Sequence, residues 1–326
     1  MILDDSFWEE EAEAPLMNRN AGCLTKESAS KLTERASMWA DLIKKPKEVP
    51  VSFSFKENCG DEAAERIFKE DAIRTFKSEK RRSEMRAVLR ALWGEIGDYH
   101  QGQGYVVSFL LLFLPKEEVA EICMNLYRQD RYMPRYWHAA PADFVRDARV
   151  FRKLMKKLHP EVETHVSSKV VPEAYASKWF VGLCVHVLPF AFLLDFLELF
   201  FQEGYPALFR FALALVEVLK CDILSASDVS KVLQALRLDA AVYPDPPSTK
   251  ASSKKEEEGR GVEFPFRDIV ERARSNEGVL KDVDLGSLRA EAVEEMAEEA
   301  RKREERMKAM EDDDDDEIVF SDEEEN

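Results

Sequence analysis

The chain has 326 residues, only 12 of them glycine, and is rich in Leu, Ala, Glu, Lys and Arg; it has room for one large or two ordinary domains and favours helix. Its net charge of −17 argues against a broad nucleic-acid-binding surface. That charge is unevenly placed: residues 311–326 carry eleven acids and no base, and removing those eleven leaves −6 on the rest. Five cysteines with no CxxC pair read as free thiols in a reducing compartment, not as a zinc site.

Residues 1–28 begin acidic, unlike a secretory or mitochondrial leader, and read as an irregular extension in which Phe7 and Trp8 are the sizeable apolar groups. A helix is expected over 26–43, capped by Thr25 or Ser28, with Leu32, Met38, Trp39 and Leu42 on one face. Val51, Phe53 and Phe55 alternate like a strand, but Pro50 and the lack of a partner strand favour an extended connector. Residues 61–76 read as a helix or a helix and turn. The clearest amphipathic helix covers 79–93, broken by Gly94 and Gly97. Further helical spacing covers 106–114, 117–126 and 144–158. Three strongly apolar helices come next at 175–185, 189–201 and 207–219, then a shorter one at 228–238.

The run 181–201 is apolar enough to raise a transmembrane question. It contains Asp195 and Glu198, and each charge near the bilayer centre costs ~2.5–3.5 kcal/mol. Buried helices of a soluble core are therefore expected. No lipidation motif closes the C-terminus. Residues 244–261 read as a flexible loop, and 285–310 as a solvated helix with Glu298–Lys302 and Glu304–Lys308 four apart. The expected fold is all-α. It divides into an extension (1–28), a helical domain (29–240), a low-complexity loop (241–262), C-terminal helices (263–310) and a disordered acidic tail (311–326).

The sequence lacks GxxxxGK[ST], HExxH and GxSxG, so no phosphate loop, zinc-protease helix or serine elbow is encoded. His100, with nothing nearby to orient it, reads as structural. What stands out is Arg74, three residues after Asp71, and Gln101 in a glycine-flanked stretch running from Tyr99 to Gly104. On spacing alone, Asp71 and Arg74 also fit an ordinary surface ion pair.

At these residues the chain resembles the TBC domain of Rab GTPase-activating proteins. Phe68 to Arg74 matches the family's I-x-x-D-x-x-R and is followed by Thr75-Phe76; Tyr99 to Gly102 matches Y-x-Q-G. Met85 to Ala91 resembles the linking helix. Tyr175 to Phe180 resembles the tryptophan-bearing third region, and Phe200 to Leu213 resembles the family's next helical segment. Arg35 and Trp39 fit the R-x-x-x-W entry helix. The chain departs from the pattern at Phe68 (usually Ile), Lys77 (usually Pro), Gln103 (often Met) and Leu197-Glu198 (often Trp-Asp).

The resemblance implies a multi-helix TBC-type domain that activates a Rab-family small GTPase in its GTP form. Arg74 would act as an arginine finger and Gln101 as the water-aligning amide. Asp71 would hold Arg74 or the local turn, Tyr99 would support the site, and Gly102 would let the backbone approach the partner's nucleotide cleft. GTP and Mg would be bound by the partner, with no cofactor or metal of the chain's own. A cytoplasmic protein, peripheral on endomembranes through its partner, is implied. A binding module that holds a GTPase or adaptor without speeding hydrolysis remains the second reading. A chaperone for basic proteins, resting on the acidic tail, is the third.

Overall fold

The computed structural model describes residues 1–43, 53–246 and 265–315, the side chains of 276, 277 and 309–315 apart. It forms two compact units, Met1–Val283 and Asp284–Asn326. Among the described residues there are helices and no strand, as the composition requires. The first unit contains α1 (Asp5–Glu10), a 3-10 turn (Pro15–Arg19), α2 (Ala29–Ser37), α3 (Trp39–Leu42), α4 (Glu62–Thr75), α5 (Glu79–Ile96), α6 (Gln101–Leu110) and α7 (Lys116–Arg128). It continues through α8 (Ala142–Leu158), α9 (Pro160–Ser167), α10 (Glu173–Phe180), α11 (Phe190–Glu203), α12 (Tyr205–Val218), α13 (Lys220–Ser225), α14 (Val229–Leu236) and α15 (Pro265–Ser275). The second unit holds one long charged helix, α16 (Leu285–Asp315), with the two expected i,i+4 ion pairs at 2.7 and 2.8 Å.

The core is built around α12. Every residue from Ala207 to Val216 is buried, and a helix apolar on all sides needs neighbours on all sides. α10, α11 and α15 supply them. α15 turns Phe266, Ile269, Val270 and Ala273 inward at helical spacing. Trp39 joins α3 to this core, with ring centroids 6.2 Å from Phe109 and 5.9 Å from Phe201. The carboxylates that spoke against a membrane span now have a role. Arg35 binds Asp195 and Glu198 at 2.5 Å each. No helix among the described residues is long and apolar enough to cross a membrane.

Several boundaries differ from expectation. The entry helix starts at Ala29, because Thr25 and Ser28 exchange hydrogen bonds in a capping turn; Ser28 N–H donates to Thr25 Oγ1 and Thr25 N–H to Ser28 Oγ. Gly94 does not break α5, which continues to Ile96; Gly97, at φ +71°, ends it. The helix expected over 175–185 stops at Phe180, and the chain then turns tightly through left-handed backbone at Leu183, Cys184 and His186. Residues 53–55 of the connector belong to no helix or strand, while 51 and 52 lie outside the described residues. So do residues 247–262 of the expected loop, the two that follow it, and 316–326 of the acidic tail; residues 311–315, expected to be disordered, continue α16 instead.

The clearest difference is at the N-terminus. Residues 1–28 are not irregular: α1 and the 3-10 turn pack into the first unit, burying Ile2, Phe7, Leu16, Met17 and Leu24. Burial on that scale is worth roughly 1.5–3 kcal/mol per large side chain. The acidic residues there misled because one of them, Glu11, is itself fully buried.

Candidate functional site

α4 begins at Asp61, whose side chain accepts from the Ala64 N–H, and closes as Thr75 Oγ1 donates to the Asp71 carbonyl. Its inner face carries Phe68, which meets Tyr99 edge-on with centroids 5.2 Å apart. Phe in place of the family's Ile therefore positions an aromatic neighbour. The Tyr99 hydroxyl donates to Asp71 Oδ2 at 2.7 Å. Gly104 leaves room for that hydroxyl, since a Cβ there would sit 2.5 Å from it. Burial, then the Asp71 charge, pushes the Tyr99 phenol well above its usual range.

The approach to Gln101 is fixed on both sides. Asp98 accepts from the backbone N–H groups of Tyr99 and Ala139, and binds His138, which also meets the Tyr127 hydroxyl. His100 caps α6, its Nδ1 accepting from the Gly102 N–H at 2.9 Å. That bond needs a ring nitrogen without a proton, and burial lowers the His100 pKa in the same sense. His100 is therefore a helix cap, and Gln101 is the first residue of α6 instead of part of a free turn.

Asp71 gathers the other two side chains. Its Oδ1 accepts from Arg74 Nη1 at 3.2 Å and from Gln101 Nε2 at 3.4 Å. The carboxylate is buried, at 8% side-chain exposure, while Arg74 is 64% exposed. Two long bonds to an exposed guanidinium and an exposed amide orient both groups without locking them. The pair lies at the edge of an open cleft of about 290 Å³, lined also by Tyr105, Lys178 and His186. Lys178 Nζ lies 5.0 Å from the Tyr105 ring centroid, and burial lowers its pKa. His186 meets Tyr105 edge-on, and burial followed by the charges of Lys178 and Arg19 takes its pKa down to about 4.

The structure thus brings Asp71, Arg74, Tyr99 and Gln101 together. Gly102 is a correction. It is buried, and a Cβ on it would lie 2.7 Å from Val181 Cγ1 and 3.0 Å from the Val181 carbonyl group. The close approach it permits is to its own chain, between α6 and the turn after α10, not to a partner. Arg86 and Arg90 of the linking helix pair with Glu79 and Glu65. Through Glu65, which accepts from the Cys59 N–H, Arg90 holds the loop before α4. Sequence reasoning missed Lys178 and His186, and it missed Pro15 and Asn18, which line the same cleft from the N-terminal segment. Lys178 sits beside the motif tryptophan and was within reach of inspection; nothing in the sequence marks the others. Among the described residues, no group of three or more His, Cys, Asp or Glu is placed to hold a metal ion.

Comparison with known proteins identifies the family. The family model of the Rab-GTPase-TBC domain matches residues 33–224. Mouse carabin is 34% identical over 125 residues, covering 37% of this chain and 27% of carabin. Human TBC1 domain family member 10B is 30% identical over 123 residues, covering 36% and 14%. Growth hormone-regulated TBC protein 1 of Xenopus laevis is 31% identical over 129 residues, covering 39% and 37%. The matched stretch thus spans between 14% and 37% of these relatives' own length. The Chlamydomonas flagellar RabGAP TBC domain superposes with a TM-score of 0.50 at 16% identity, over 80% of each chain. The TBC domain of Drosophila melanogaster Skywalker gives 0.51 at 14% identity, over 80% of this chain and 85% of that one. At such identities the solved structures speak for the fold alone. With the family model covering more than half of its length, the chain belongs to the Rab-GTPase-TBC domain family.

Proposed function

We propose that the chain activates GTP hydrolysis by a Rab-type small GTPase, presenting Arg74 and Gln101 to the nucleotide in trans. The observation that carries this reading is the shared carboxylate: an exposed arginine and an exposed amide, 27 residues apart in sequence, rest on one buried Asp71 at the mouth of a cleft. An ordinary surface ion pair has no use for the second donor.

The chain breaks no bond of its own. GTP and its Mg belong to the partner. As the γ-phosphoryl group departs, charge grows on the oxygens around it, and an arginine supplied in trans is worth roughly 10³–10⁵ in rate. That equals about 4–7 kcal/mol of barrier. The planar, always-charged guanidinium of Arg74 offers phosphate oxygens a fork that lysine lacks. The Gln101 amide accepts from the attacking water through its oxygen and donates to the γ-phosphate through its nitrogen. Asp71 holds both in readiness and keeps the Arg74 helix next to Tyr99. The partner brings the finer expectations with it: recognition of the GTP form, recruitment to endomembranes through the GTPase, and a part in vesicle trafficking. Lys77, where the family pattern usually has Pro, donates its backbone N–H to Glu11.

The test is phosphate release from a panel of GTP-loaded Rab proteins. At least one member is expected to be stimulated, and Arg74→Ala to abolish the effect. Arg74→Lys should keep less than about a tenth of it, a loss of more than ~1.4 kcal/mol. Stimulation that survives Arg74→Lys rejects the finger role, and binding without stimulation by the unaltered chain favours the binding module.

A further inference from the structure

The family match begins at residue 33, yet two residues upstream of it, Pro15 and Asn18, line the cleft that holds Arg74 and Gln101. They are fixed there by buried polar bonds at both ends of a short segment. At one end Glu11 is fully buried, and its two oxygens accept from the backbone N–H groups of Lys77 and Ser78 at 2.8 Å each. Those are the residues between the end of Arg74's helix and the start of α5, where a carboxylate also suits the helix N-terminus. A proline at 77, as in the family pattern, has no N–H to give. At the other end Arg19, 5% exposed, donates to the carbonyls of Val187, Leu238 and Tyr243 and to the Asp245 carboxylate. Val187 is the neighbour of His186, which also lines the cleft.

The segment is therefore tied at one end to the turn after Arg74's helix and at the other to the residue after His186; Arg74 and His186 both line the cleft. Ala14, Leu16 and Met17 turn inward and are buried, which leaves Pro15 and Asn18 facing out. The Asn18 side chain has no hydrogen-bond partner among the described residues, so its amide is available to whatever covers the cleft. A GTPase whose nucleotide comes within reach of Arg74 and Gln101 must cover that mouth. It then meets a rigid proline ring and an amide that both donates and accepts.

We propose that Pro15 and Asn18, held in place by Glu11 and Arg19, form part of the surface that a GTP-loaded small GTPase touches, as contact residues that help decide which GTPase is accepted. The inference rests on the reading of Arg74 and Gln101 as the groups presented to the nucleotide. Because the Asn18 side chain is exposed and makes no hydrogen bond within the described residues, its substitution separates recognition from folding.

The experiment compares the full chain with Asn18→Ala and Asn18→Trp against the GTPase panel, measuring kcat/KM for stimulated hydrolysis. Equilibrium binding to the same GTPases carrying a non-hydrolysable GTP analogue is read in parallel. Asn18→Trp is expected to lower kcat/KM by about fivefold or more for the responsive GTPase, to weaken its binding, and to change the ranking across the panel. Melting temperature should stay within about 1 °C, as for an exposed residue free of such features. Asn18→Ala should give a smaller loss in the same direction. Unchanged kcat/KM, binding and ranking in both variants, with Arg74→Ala still inactive, overturns this inference alone. Stimulation that persists in Arg74→Ala shows instead that the cleft reading has failed. Where no GTPase is stimulated, binding unaltered by Asn18→Trp still overturns the inference.

Discussion

Substituting Gly102 by alanine separates the two explanations of that glycine, and its magnitude can be worked from the contacts. The added Cβ would meet Val181 Cγ1 at 2.7 Å and the Val181 backbone C and O at 3.0 Å. The methyl group can rotate aside, but the backbone is held by Val181 N–H donating to the Ser177 carbonyl and by the Val181 carbonyl accepting from Trp137 Nε1. Overpacking against fixed atoms costs about 1–3 kcal/mol. Opposing it, alanine is favoured over glycine within a helix by roughly 0.5–1 kcal/mol. At mid-range values strain wins, with a net loss of about 1 kcal/mol, or a fall of roughly 2–4 °C in melting temperature for a unit of this size. Gly94 supplies the control. It lies inside α5 with nothing beyond its own helix backbone within 4 Å of its would-be Cβ, so Gly94→Ala gains the helix term without the strain. Its melting temperature should rise by about 1–3 °C. Calorimetry on the two variants and the parent protein reads both shifts. A Gly102→Ala protein as stable as its parent, but unable to stimulate hydrolysis, would contradict the packing argument and return Gly102 to the partner-facing surface.

Glu11→Ala removes both acceptors of the Lys77 and Ser78 N–H groups, and at about 1.5–3 kcal/mol for each bond to a charged group it should be strongly destabilising in urea titration. Lys77→Pro deletes one of the two donors, so the double variant should cost less than the sum of the single ones; strict additivity would show that the clamp does not act through that N–H. His186 has its pKa lowered from 6.5 to about 4, so the unfolded chain takes up the proton first. Its stabilising contribution is complete above pH 6.5 and is lost as pH falls toward 4, with about 3 kcal/mol as the full span. Stability against urea should decline over that window and decline less in His186→Gln, although His100 contributes in the same direction; identical pH profiles would show that His186 is not held neutral by its surroundings.

The helical fold was legible wherever a buried face repeats at helical spacing, as along α5, α11 and α12. The site was legible because its four polar members fall in two short motifs. Asp71 and Arg74 lie one helical turn apart, and Tyr99 and Gln101 flank the cap of α6. What escaped is long-range polar pairing. Glu11 looks like one more acid in an acidic stretch, since the groups it accepts from are backbone N–H groups that carry no signature in the side chains of Lys77 and Ser78. The end of α10 was hidden for a related reason. Leu183, Cys184 and His186 adopt left-handed backbone without glycine, held by tertiary packing and by Cys184 N–H donating to the Lys178 carbonyl. Gly102 was read in the right sense, as a close approach, but sequence gives no indication of which surface approaches.

The central claim, that Arg74 and Gln101 act together from one carboxylate on a nucleotide held by the partner, is tested most directly by the source of the water-aligning amide. An arginine-finger activator alone depends on the GTPase's own switch glutamine. Single-turnover hydrolysis is measured for four pairings: unaltered chain or Gln101→Ala, each with an unaltered GTPase or one whose catalytic glutamine is replaced by alanine. The unaltered chain should still stimulate the glutamine-less GTPase strongly, and Gln101→Ala should fail on it. Complete loss of stimulation when the unaltered chain meets the glutamine-less GTPase would contradict the account and leave a one-finger activator in its place.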